Sequence, residues 1–333
     1  MRLLVTGGLG FIGSNYVLHA AENSKFTRIT NIDSQSYGSN PENLREIEDA
    51  AVYEFVRGDI CDFPTVRDLL ADTDVVVHFA AESHVDRSIS EAKAFLQSNV
   101  VGTCTLLDAA RLSKVSKFIH VSTDEVYGSA PLGESFQENS PLNPSSPYAA
   151  SKAAAEMFAL AYHKTYGLPI VILRCTNNFG PRQFPEKLVP KTIIRALLGL
   201  RVPIYGSGQQ IRDWIHVSDF CKAIDLALEK GENGNIYNVS AGNEISNFMM
   251  VRQILDILGK SPDLIQFVED RPGHDFRYSL DSSRIRKDLG WAPELPFATA
   301  LKKTVEWYVH NEKWWKPLVN EKILSPTPWK EKW

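Results

Sequence analysis

The chain lacks an excess of charge of either sign, and it lacks a long hydrophobic run. Its 333 residues include 36 Lys and Arg against 40 Asp and Glu, which leaves a formal net charge of −4. Without a basic excess, the protein has no general attraction for nucleic acid or for an anionic membrane surface. No stretch of the sequence approaches the roughly 18 apolar residues that a membrane-spanning helix needs. We therefore expect partners other than nucleic acid and membranes.

Cysteine is also scarce. The four cysteines, Cys61, Cys104, Cys175 and Cys221, are far apart and form no C-x-x-C pair. None has a nearby His pair to complete a zinc site, so we expect free thiols and no metal, although an even count also permits two disulfides. Glycine and proline are at ordinary levels, which excludes collagen-like and low-complexity chains. The sequence reaches a glycine loop at Gly7, which leaves no room for a signal peptide, and we expect a cytoplasmic protein.

Short apolar strands alternate with helical segments through the first half of the chain. Residues 75–79 are apolar on both faces, as a central parallel strand should be. The alternation predicts right-handed crossovers and an α/β fold with a Rossmann-type doubly wound parallel sheet. The other strands are predicted at 3–5, 27–32, 52–57, 117–122 and 170–173, and the helices at 11–22, 95–113 and 148–166.

The pattern changes after Arg174. Loops rich in proline and glycine separate shorter elements, and such regions usually shape a pocket. Residues 217–230 are predicted as a helix, and 236–239 as a strand that rejoins the first sheet. We therefore predict two interleaved domains. The sheet domain would comprise residues 1–175 and return at about 210–240, and a smaller mixed α/β substrate domain would comprise 176–209 and 241–333.

A G-x-G-x-x-G motif, Gly7, Gly10 and Gly13, follows the first strand and opens a helix. Such glycines let the backbone approach a pyrophosphate, which then sits on the helix N-terminus. Asp33 ends the second strand 20 residues after Gly13, where a carboxylate binds the adenosine ribose and would repel a 2′-phosphate. The motif therefore predicts NAD as the cofactor. Further contacts to NAD are expected from Phe11, Ile12, Asp59, Ile60, Ala80, Ala81 and Ser122.

Tyr148 and Lys152 form a Y-x-x-x-K motif. Because Pro147 favours a helix start there, the two side chains would lie one turn apart on one face. A nearby ammonium stabilises a phenolate, so Lys152 would lower the pKa of Tyr148 from about 10 toward neutrality. Tyr148 could then act as a base toward an alcohol proton. The spacing is common by chance and becomes informative through its place in a dinucleotide-binding fold.

Thr123, Asp124 and Glu125 follow directly on the strand predicted at 117–122. Two adjacent carboxylates repel each other, and burial raises at least one of their pKa values. A reaction that needs one general acid and one general base uses such a split pair. Thr123 could hydrogen-bond the substrate hydroxyl that Tyr148 deprotonates. A solvated acidic turn is the alternative interpretation.

Together these motifs resemble the extended short-chain dehydrogenase/reductases, and within them the dTDP-glucose 4,6-dehydratases. The Asp124–Glu125 pair is the most specific feature, because the related sugar-nucleotide epimerases carry small neutral residues in its place. The resemblance spans the whole sequence. Besides the glycine motif and the Tyr–Lys pair, it rests on residues 78–86, 122–127, 174–181, 184–188, 212–214 and 271–275.

The resemblance implies an NAD-dependent hydro-lyase that converts dTDP-glucose to dTDP-4-keto-6-deoxyglucose. Tyr148, helped by Thr123 and Lys152, would remove the 4-OH proton while the C4 hydride passes to NAD. Glu125 would then remove the C5 proton, and Asp124 would protonate the departing 6-OH. Hydride would return to C6, so NAD would stay bound. The product would enter deoxysugar biosynthesis, for example that of rhamnose.

The resemblance also implies the substrate contacts. Arg212 and Arg271 would bind the diphosphate through their forked guanidinium groups, although Arg212 could instead pair with Asp213. Asn177 would contact the same diphosphate, and Tyr278 would help His274 to close the second domain. The implied substrate contacts are Ser83, His84, Thr123, Asn177, Glu186, Lys187, Leu188, Tyr205, Arg212, Asn247, Arg271 and His274. A packed core position is the alternative for His84.

Two other functions remain open. The first is a UDP-hexose 4-epimerase or another 4,6-dehydratase of a UDP- or GDP-sugar. The second is a non-catalytic NAD-binding subunit, although such proteins typically lose the tyrosine or the lysine. The resemblance also implies a homodimer, formed through a four-helix contact of the helices at 95–113 and 149–166. Burial of both helix faces inside the monomer is the alternative.

Overall fold

A computed structural model describes residues 1–23 and 25–332 of the chain, so Trp333, where the predicted second domain ends, lies outside the described residues. The strands in chain order are β1 Arg2–Thr6, β2 Arg28–Asp33, β3 Tyr53–Arg57, β4 Val75–His78, β5 Lys117–Thr123, β6 Ile170–Cys175, β7 Asn177–Phe179, β8 Val202–Tyr205, β9 Ile211–His216, β10 Ile236–Val239, β11 Glu244–Ser246 and β12 Ile265–Val268.

Helices precede or follow almost every strand. They are α1 Phe11–Ala21, α2 Phe63–Ala71, α3 Val85–Ser90, α4 Ala92–Phe95, α5 Thr103–Arg111, α6 Pro147–Tyr166, α7 Leu188–Leu197, α8 Val217–Lys230, α9 Asn247–Ile257, α10 Ser283–Leu289, α11 Phe297–His310 and α12 Glu312–Trp315. Within the described residues, no helix is long and apolar enough to cross a membrane. The same residues contain no cluster of three or more His, Cys, Asp or Glu side chains that could hold a metal ion.

Seven parallel strands form the central sheet, in the order β10-β6-β5-β4-β1-β2-β3. The chain steps outward from β1 to β3 on one side and from β4 to β6 on the other. Ligands bind where such a sheet changes direction, outside the carboxyl ends of its strands. The predicted Rossmann-type sheet is confirmed, including the return of residues 236–239 as an edge strand beside β6.

Alternate residues of the strands fill two separate cores. Leu3 and Val5 of β1 join a buried cluster with Tyr16 of α1 and Phe220 of α8. Leu4 points to the opposite face and joins a cluster with side chains of α2 and α5. Because helices cover both faces, every residue of a central strand is apolar or shielded, which explains the unbroken apolar runs.

After β6, most strands of the second half belong to smaller sheets. Strands β7, β9 and β11 form one sheet, and β8 pairs with β12 in parallel. Helices α7, α9 and α11 enclose a core that includes Phe179, Trp214 and Met250. The chain returns to the central sheet with α8 and β10, whereas β9, at residues 211–216, belongs to the smaller sheet.

The helix predicted at 95–113 is not regular. The chain forms α4, then a π-helical segment Leu96–Gly102, then α5. A π-helical turn is wider than an α-turn and often lies at a functional site. Here it contains Asn99, which is buried and donates a 2.8 Å hydrogen bond to Ser151 Oγ of α6.

The last described residues, 319–332, form a C-terminal arm that packs across the molecule. Its short 3₁₀ segment Pro328–Lys330 lies against α3. Trp329 is buried with its ring edge-on to Tyr205, at 4.7 Å between ring centroids. Lys191 Nζ, also buried, donates a 3.2 Å hydrogen bond to the Ser325 carbonyl and so ties the arm to α7.

Candidate active site

A cavity of about 480 Å³ lies across the carboxyl ends of the parallel strands. All the predicted cofactor and catalytic residues line it, namely Gly7, Gly10, Phe11, Ile12, Gly13, Asp33, Asp59, Ile60, Ala80, Ala81, Ser122, Thr123, Asp124, Glu125, Tyr148 and Lys152. The predicted substrate residues Ser83, His84, Asn177, Glu186 and Lys187 line it as well. The sheet therefore brings together side chains that are up to 180 positions apart in the sequence.

The glycines of the loop lie where a side chain would collide with the neighbouring backbone. Gly7 has φ +72°, and a Cβ there would lie 2.7 Å from the backbone of Ala80. A Cβ on Gly13 would collide with the Gly7 carbonyl oxygen. Gly10 precedes α1 without a side-chain cap, so the first N–H groups of that helix are open to an anion. These features fit the pyrophosphate of a dinucleotide.

Asp33 both supports the glycine loop and faces the cavity. Its carboxylate accepts hydrogen bonds from Leu9 N at 3.0 Å, Gln35 N at 2.8 Å and Ser39 Oγ at 2.8 Å. An ionised carboxylate has about four acceptor sites, so one site remains for a ribose hydroxyl. A strand-end cap and a ribose contact are therefore compatible roles for this residue.

A buried chain of hydrogen bonds links the carboxyl ends of β1 and β4 to the π-helical segment and α5. Thr103 Oγ1 donates to the Asn99 carbonyl at 2.6 Å, so it can only accept from His78 Nε2 at 3.0 Å. His78 Nδ1 then accepts from Thr6 Oγ1 at 2.7 Å, and Thr6 Oγ1 accepts from Ala80 N at 3.3 Å. Burial lowers the pKa of His78 to about 3, so the ring stays neutral. Residues 78–86 carried the resemblance, but nothing in the sequence indicated that His78 is hydrogen-bonded to Thr6 and Thr103.

Tyr148 and Lys152 lie one turn apart at the start of α6. Ser146 caps the helix by accepting a 3.1 Å hydrogen bond from Ala149 N, and Pro147 occupies the first turn as predicted. Lys152 Nζ donates to the Val121 carbonyl at 2.7 Å, and burial lowers the pKa of this lysine to about 8.

The expected lowering of the tyrosine pKa is absent in the protein alone. Burial, and next to it the negative charge of Glu125, raises the pKa of Tyr148 well above its usual range, and a hydrogen bond with Thr123 only partly opposes this. The prediction was wrong because it counted the nearby ammonium and left out the desolvation of the phenol.

The two adjacent carboxylates lie in different environments. Thr123 Oγ1 accepts from Glu125 N at 3.3 Å and lies 3.1 Å from Asp124 Oδ1. Burial, followed by the negative charge of Glu125, raises the pKa of Asp124 well above its usual range. Burial also raises the pKa of Glu125, but Arg271 and then Arg212 oppose that rise. Because Asp124 is only 3% exposed, the alternative of a solvated acidic turn is wrong.

His84 and Glu186 meet at the far end of the cavity. His84 Nε2 lies 3.3 Å from Glu186 Oε2, and the Tyr37 hydroxyl donates to the same carboxylate oxygen. Burial lowers the pKa of His84 well below its usual range and raises the pKa of Glu186 to about 7. Lys187 Nζ donates to the Ser83 carbonyl at 2.8 Å. Tyr37 is a lining residue that the sequence motifs did not indicate.

The remaining predicted substrate residues lie outside this cavity lining. They are Leu188 and Asn247, the first residues of α7 and α9, together with Tyr205, Arg212, Arg271 and His274. Arg271 Nη1 donates to Asp86 Oδ1 at 2.8 Å, and the Tyr205 hydroxyl donates to Asp86 Oδ2 at 3.0 Å. His274 Nδ1 lies 2.6 Å from Asp270 Oδ1, and burial followed by the charge of Arg271 lowers the pKa of His274 to about 4.

Arg212 does not pair with its neighbour. Its guanidinium donates to the carbonyls of Ile211 at 2.7 Å and Asp275 at 2.9 Å. Asp213 instead accepts from Ser240 Oγ and from backbone N–H groups on the loop that follows β10. The alternative of an Arg212–Asp213 ion pair is therefore wrong. The positive charge of Arg212 instead acts on Asp124 and Glu125, where it opposes the rise in the pKa of each carboxyl group.

The sequence matches a known family over most of its length. The family model described as GDP-mannose 4,6 dehydratase matches residues 4–304. The chain is 50% identical to a dTDP-glucose 4,6-dehydratase from Streptomyces niveus over 332 residues, which cover 98% of each chain.

Solved structures give the same result. DesIV, a dTDP-glucose 4,6-dehydratase from Streptomyces venezuelae solved with NAD bound, is 47% identical with a TM-score of 0.93, covering 96% of this chain and all of that one. A UDP-glucose 4-epimerase from Thermotoga maritima is more distant, at 30% identity and a TM-score of 0.87, covering 94% of this chain and all of that one. The resemblance inferred from the motifs is confirmed, and the chain belongs to the nucleotide-sugar 4,6-dehydratase family.

Proposed function

We propose that this protein is an NAD-dependent hydro-lyase that converts dTDP-glucose to dTDP-4-keto-6-deoxyglucose. The observation that carries the proposal is the Asp124–Glu125 pair, with Asp124 buried, in the same cavity as Tyr148, since only an elimination needs this acid and base in addition to the phenol. The dTDP-glucose 4,6-dehydratases among its relatives support the substrate. A 4-epimerase needs no such carboxylate pair, so that alternative is disfavoured.

The glycine loop and Asp33 fit NAD. Gly7, Gly10 and Gly13 would hold the pyrophosphate at the start of α1, and Asp33 would bind the ribose through its remaining acceptor site. When bound, NAD supplies a hydride acceptor for C4 of the sugar and, once reduced, a hydride donor for C6. Because the same cofactor is reduced and reoxidised in each turnover, the protein should retain it.

Tyr148 takes the proton of the sugar 4-OH, and Thr123 hydrogen-bonds the same hydroxyl. The buried Lys152, whose pKa is about 8, is largely protonated at neutral pH. Its cationic ammonium lies one helical turn from the phenol and stabilises the phenolate that must form. Because burial disfavours that phenolate, Lys152 must offset this cost before Tyr148 can accept the substrate proton.

Asp124 and Glu125 divide the elimination between them. The 4-ketone makes the C5 hydrogen acidic, and the Glu125 carboxylate removes it. Burial favours the protonated form of Asp124, so its carboxyl group can give a proton to the departing 6-OH, which leaves as water. The positive charge of Arg212 acts on both carboxyl groups, and Arg271 and Lys187 add to it at Glu125, which suits Glu125 as the base.

The nucleotide diphosphate would lie between the two halves of the molecule. Among the described residues, Arg271 Nε is buried without a hydrogen-bond partner. A buried guanidinium donor without a partner is costly, so a phosphate oxygen is a fitting acceptor for it. Arg212 and Asn177 would bind the same diphosphate, and Glu186 and Lys187 would contact the thymidine.

We also propose that the protein is a cytoplasmic homodimer whose product enters deoxysugar synthesis, such as that of rhamnose. Exposed apolar side chains on α6 and the preceding π-helical segment support the dimer, since a contiguous apolar surface usually marks a contact. They include Leu96 at 56% exposure, Met157 at 46% and Phe158 at 44%. Light scattering should then give twice the chain mass of 37.3 kDa.

The test is incubation of the purified protein with dTDP-glucose and no added NAD. The alkali-induced absorbance of the 4-keto-6-deoxy product should appear in the wild type and be lost in Tyr148→Phe. If no product forms even with added NAD, UDP-glucose and GDP-mannose decide between a different nucleotide sugar and a non-catalytic protein. Product from either of these two sugars, but not from dTDP-glucose, would refute the proposed substrate.

A further inference from the structure

Tyr278 is a buried phenol held between two carboxylates. Its hydroxyl lies 2.8 Å from Asp275 Oδ2 and 3.4 Å from Glu125 Oε2, and the side chain is only 3% exposed. A phenol has one proton to donate, so it can serve only one of these acceptors at a time. The steps assigned above to Tyr148, Asp124 and Glu125 leave this hydroxyl without a role.

We propose that Tyr278 is a positioning residue for the C5 proton transfer and that it exchanges its hydrogen bond between Glu125 and Asp275. While Glu125 is the anionic base, Tyr278 donates to it and aims the carboxylate. When Glu125 has taken the C5 proton it is a weaker acceptor, and Tyr278 then donates to Asp275. The phenol keeps its proton throughout. The inference rests on the proposed function, because it presupposes that Glu125 is the base.

The surroundings hold the phenol at this position. The Arg212 guanidinium lies 4.0 Å from the centroid of the Tyr278 ring, a cation–π contact on its face. The same arginine donates a 2.9 Å hydrogen bond to the Asp275 carbonyl. Asp275 Oδ1 accepts from Ser145 Oγ at 2.6 Å, so the carboxylate that competes with Glu125 is itself fixed.

The Tyr278 hydroxyl is suited to donate a hydrogen bond without losing its proton. Burial, and next to it the negative charge of Glu125, raises the pKa of Tyr278 well above its usual range. A hydrogen bond to an anionic carboxylate favours the charged form and lowers its pKa. Removing the phenol hydroxyl should therefore raise the pKa of Glu125, while removing the charge of Asp275 should lower it.

The decisive experiment compares Tyr278→Phe and wild-type holoenzyme on dTDP-glucose in deuterium oxide. We expect deuterium incorporation at C5, followed by mass spectrometry, to slow about 10- to 100-fold, as for loss of a hydrogen bond to a charged group. We expect the acidic limb of the kcat profile to move to higher pH. Substrate-induced reduction of the bound nicotinamide should persist, because Tyr278 does not line the cofactor cavity.

Two further variants separate positioning from general structural support. Tyr237→Phe removes another buried phenol hydroxyl, one that accepts from Glu232 N at 3.4 Å, and it should behave as the wild type. Asp275→Asn removes the competing charge, so its acidic limb should move to lower pH, and it also tests the proposal if Tyr278→Phe does not fold.

Two results would overturn the inference while leaving the proposed function intact. One is an unchanged C5 exchange rate and pH profile in Tyr278→Phe, and the other is a change in KM alone. A wild type that makes no product would instead refute the proposed function, on which the inference rests.

Discussion

The two halves of the molecule present their site residues in opposite ways. In the sheet half, the glycine loop, the 123–125 segment and the Tyr148–Lys152 pair all line one cavity. In the second half, Glu186 and Lys187 line the same cavity, but Arg212, Arg271 and His274 lie outside its lining and are engaged with backbone carbonyls or carboxylates. Strand ends are directed into the crevice by the topology itself, whereas loops must first satisfy their own buried polar groups.

The contacts between the second half and Asp86, in α3 of the sheet half, show what that requirement costs. Asp86 is buried and accepts from both Arg271 and Tyr205. Burial and the charge of Arg271 act on this carboxyl in opposite senses, and the net result lowers the pKa of Asp86 to about 2. A substrate that binds there must keep or replace these contacts. The glycine loop offers open N–H donors, whereas Arg271 already donates from Nη1 to Asp86 and has Nε left for a substrate.

The largest effect should come from the base in the sheet half. Glu125→Gln removes the acceptor for the C5 proton, so product formation and C5 exchange should fall by at least about 100-fold while NAD stays bound. Mass spectrometry of the sugar in deuterium oxide measures the exchange. Asp124→Asn is the matched control, since it should retain C5 exchange and slow only the loss of water. If exchange of the C5 hydrogen is undiminished in Glu125→Gln, Glu125 is not the base that removes it.

A smaller effect should follow from a Cβ in the glycine loop. Gly7→Ala would place a methyl group 2.7 Å from the Ala80 backbone and so distort the loop that is expected to hold the cofactor pyrophosphate. We expect NAD affinity to fall about tenfold or more, and the purified variant to lose its bound nicotinamide. Fluorescence titration with NADH measures the affinity.

Gly199→Ala is the matched control for the loop variant. Gly199 has φ +69° against +72° for Gly7, but nothing lies within 4 Å of its Cβ position. It should lose about 1 kcal/mol of stability from the left-handed backbone and keep its NAD. If both variants lose NAD equally, backbone strain at the positive φ would explain the loss, rather than the collision of the added methyl group in the glycine loop.

The sequence predicted the sheet half well because its signals are local and periodic. Apolar runs such as 75–77 are buried on both faces, and the glycines follow a strand, as the motif requires. Thr123, Asp124 and Glu125 follow a strand too, so the topology that placed the strand also placed them. These features can be predicted from the sequence without knowing which distant residues are in contact.

Other features could not be predicted, since they depend on contacts between distant parts of the chain. The desolvation that raises the pKa of Tyr148 comes from the enclosing structure, and no motif encodes it. Asn99, which donates to Ser151, lies in a π-helical segment that no motif indicates. The pairing of Asp86 with Arg271 joins residues 185 positions apart. The resemblance suggested Arg271 as a phosphate ligand but gave no sign of the carboxylate that holds it.

The smallest effect should come from the C-terminal arm, at the edge of the second half. Trp329 supports the Tyr205 ring, which donates to Asp86, the partner of Arg271. Trp329→Ala should therefore raise KM for dTDP-glucose about 2- to 10-fold, as for loss of one aromatic pair, with kcat nearly unchanged.

Lys330→Ala tests whether that effect belongs to the ring or to the arm as a whole. Lys330 lies next to Trp329 and forms an exposed ion pair with Glu269, and such pairs contribute little. Its steady-state kinetics should match the wild type. A fall in kcat for Trp329→Ala would mean that the arm acts on the chemistry of the sheet half. In that case the two halves would not be separable in function, because a contact at the edge of one would reach the carboxylates of the other.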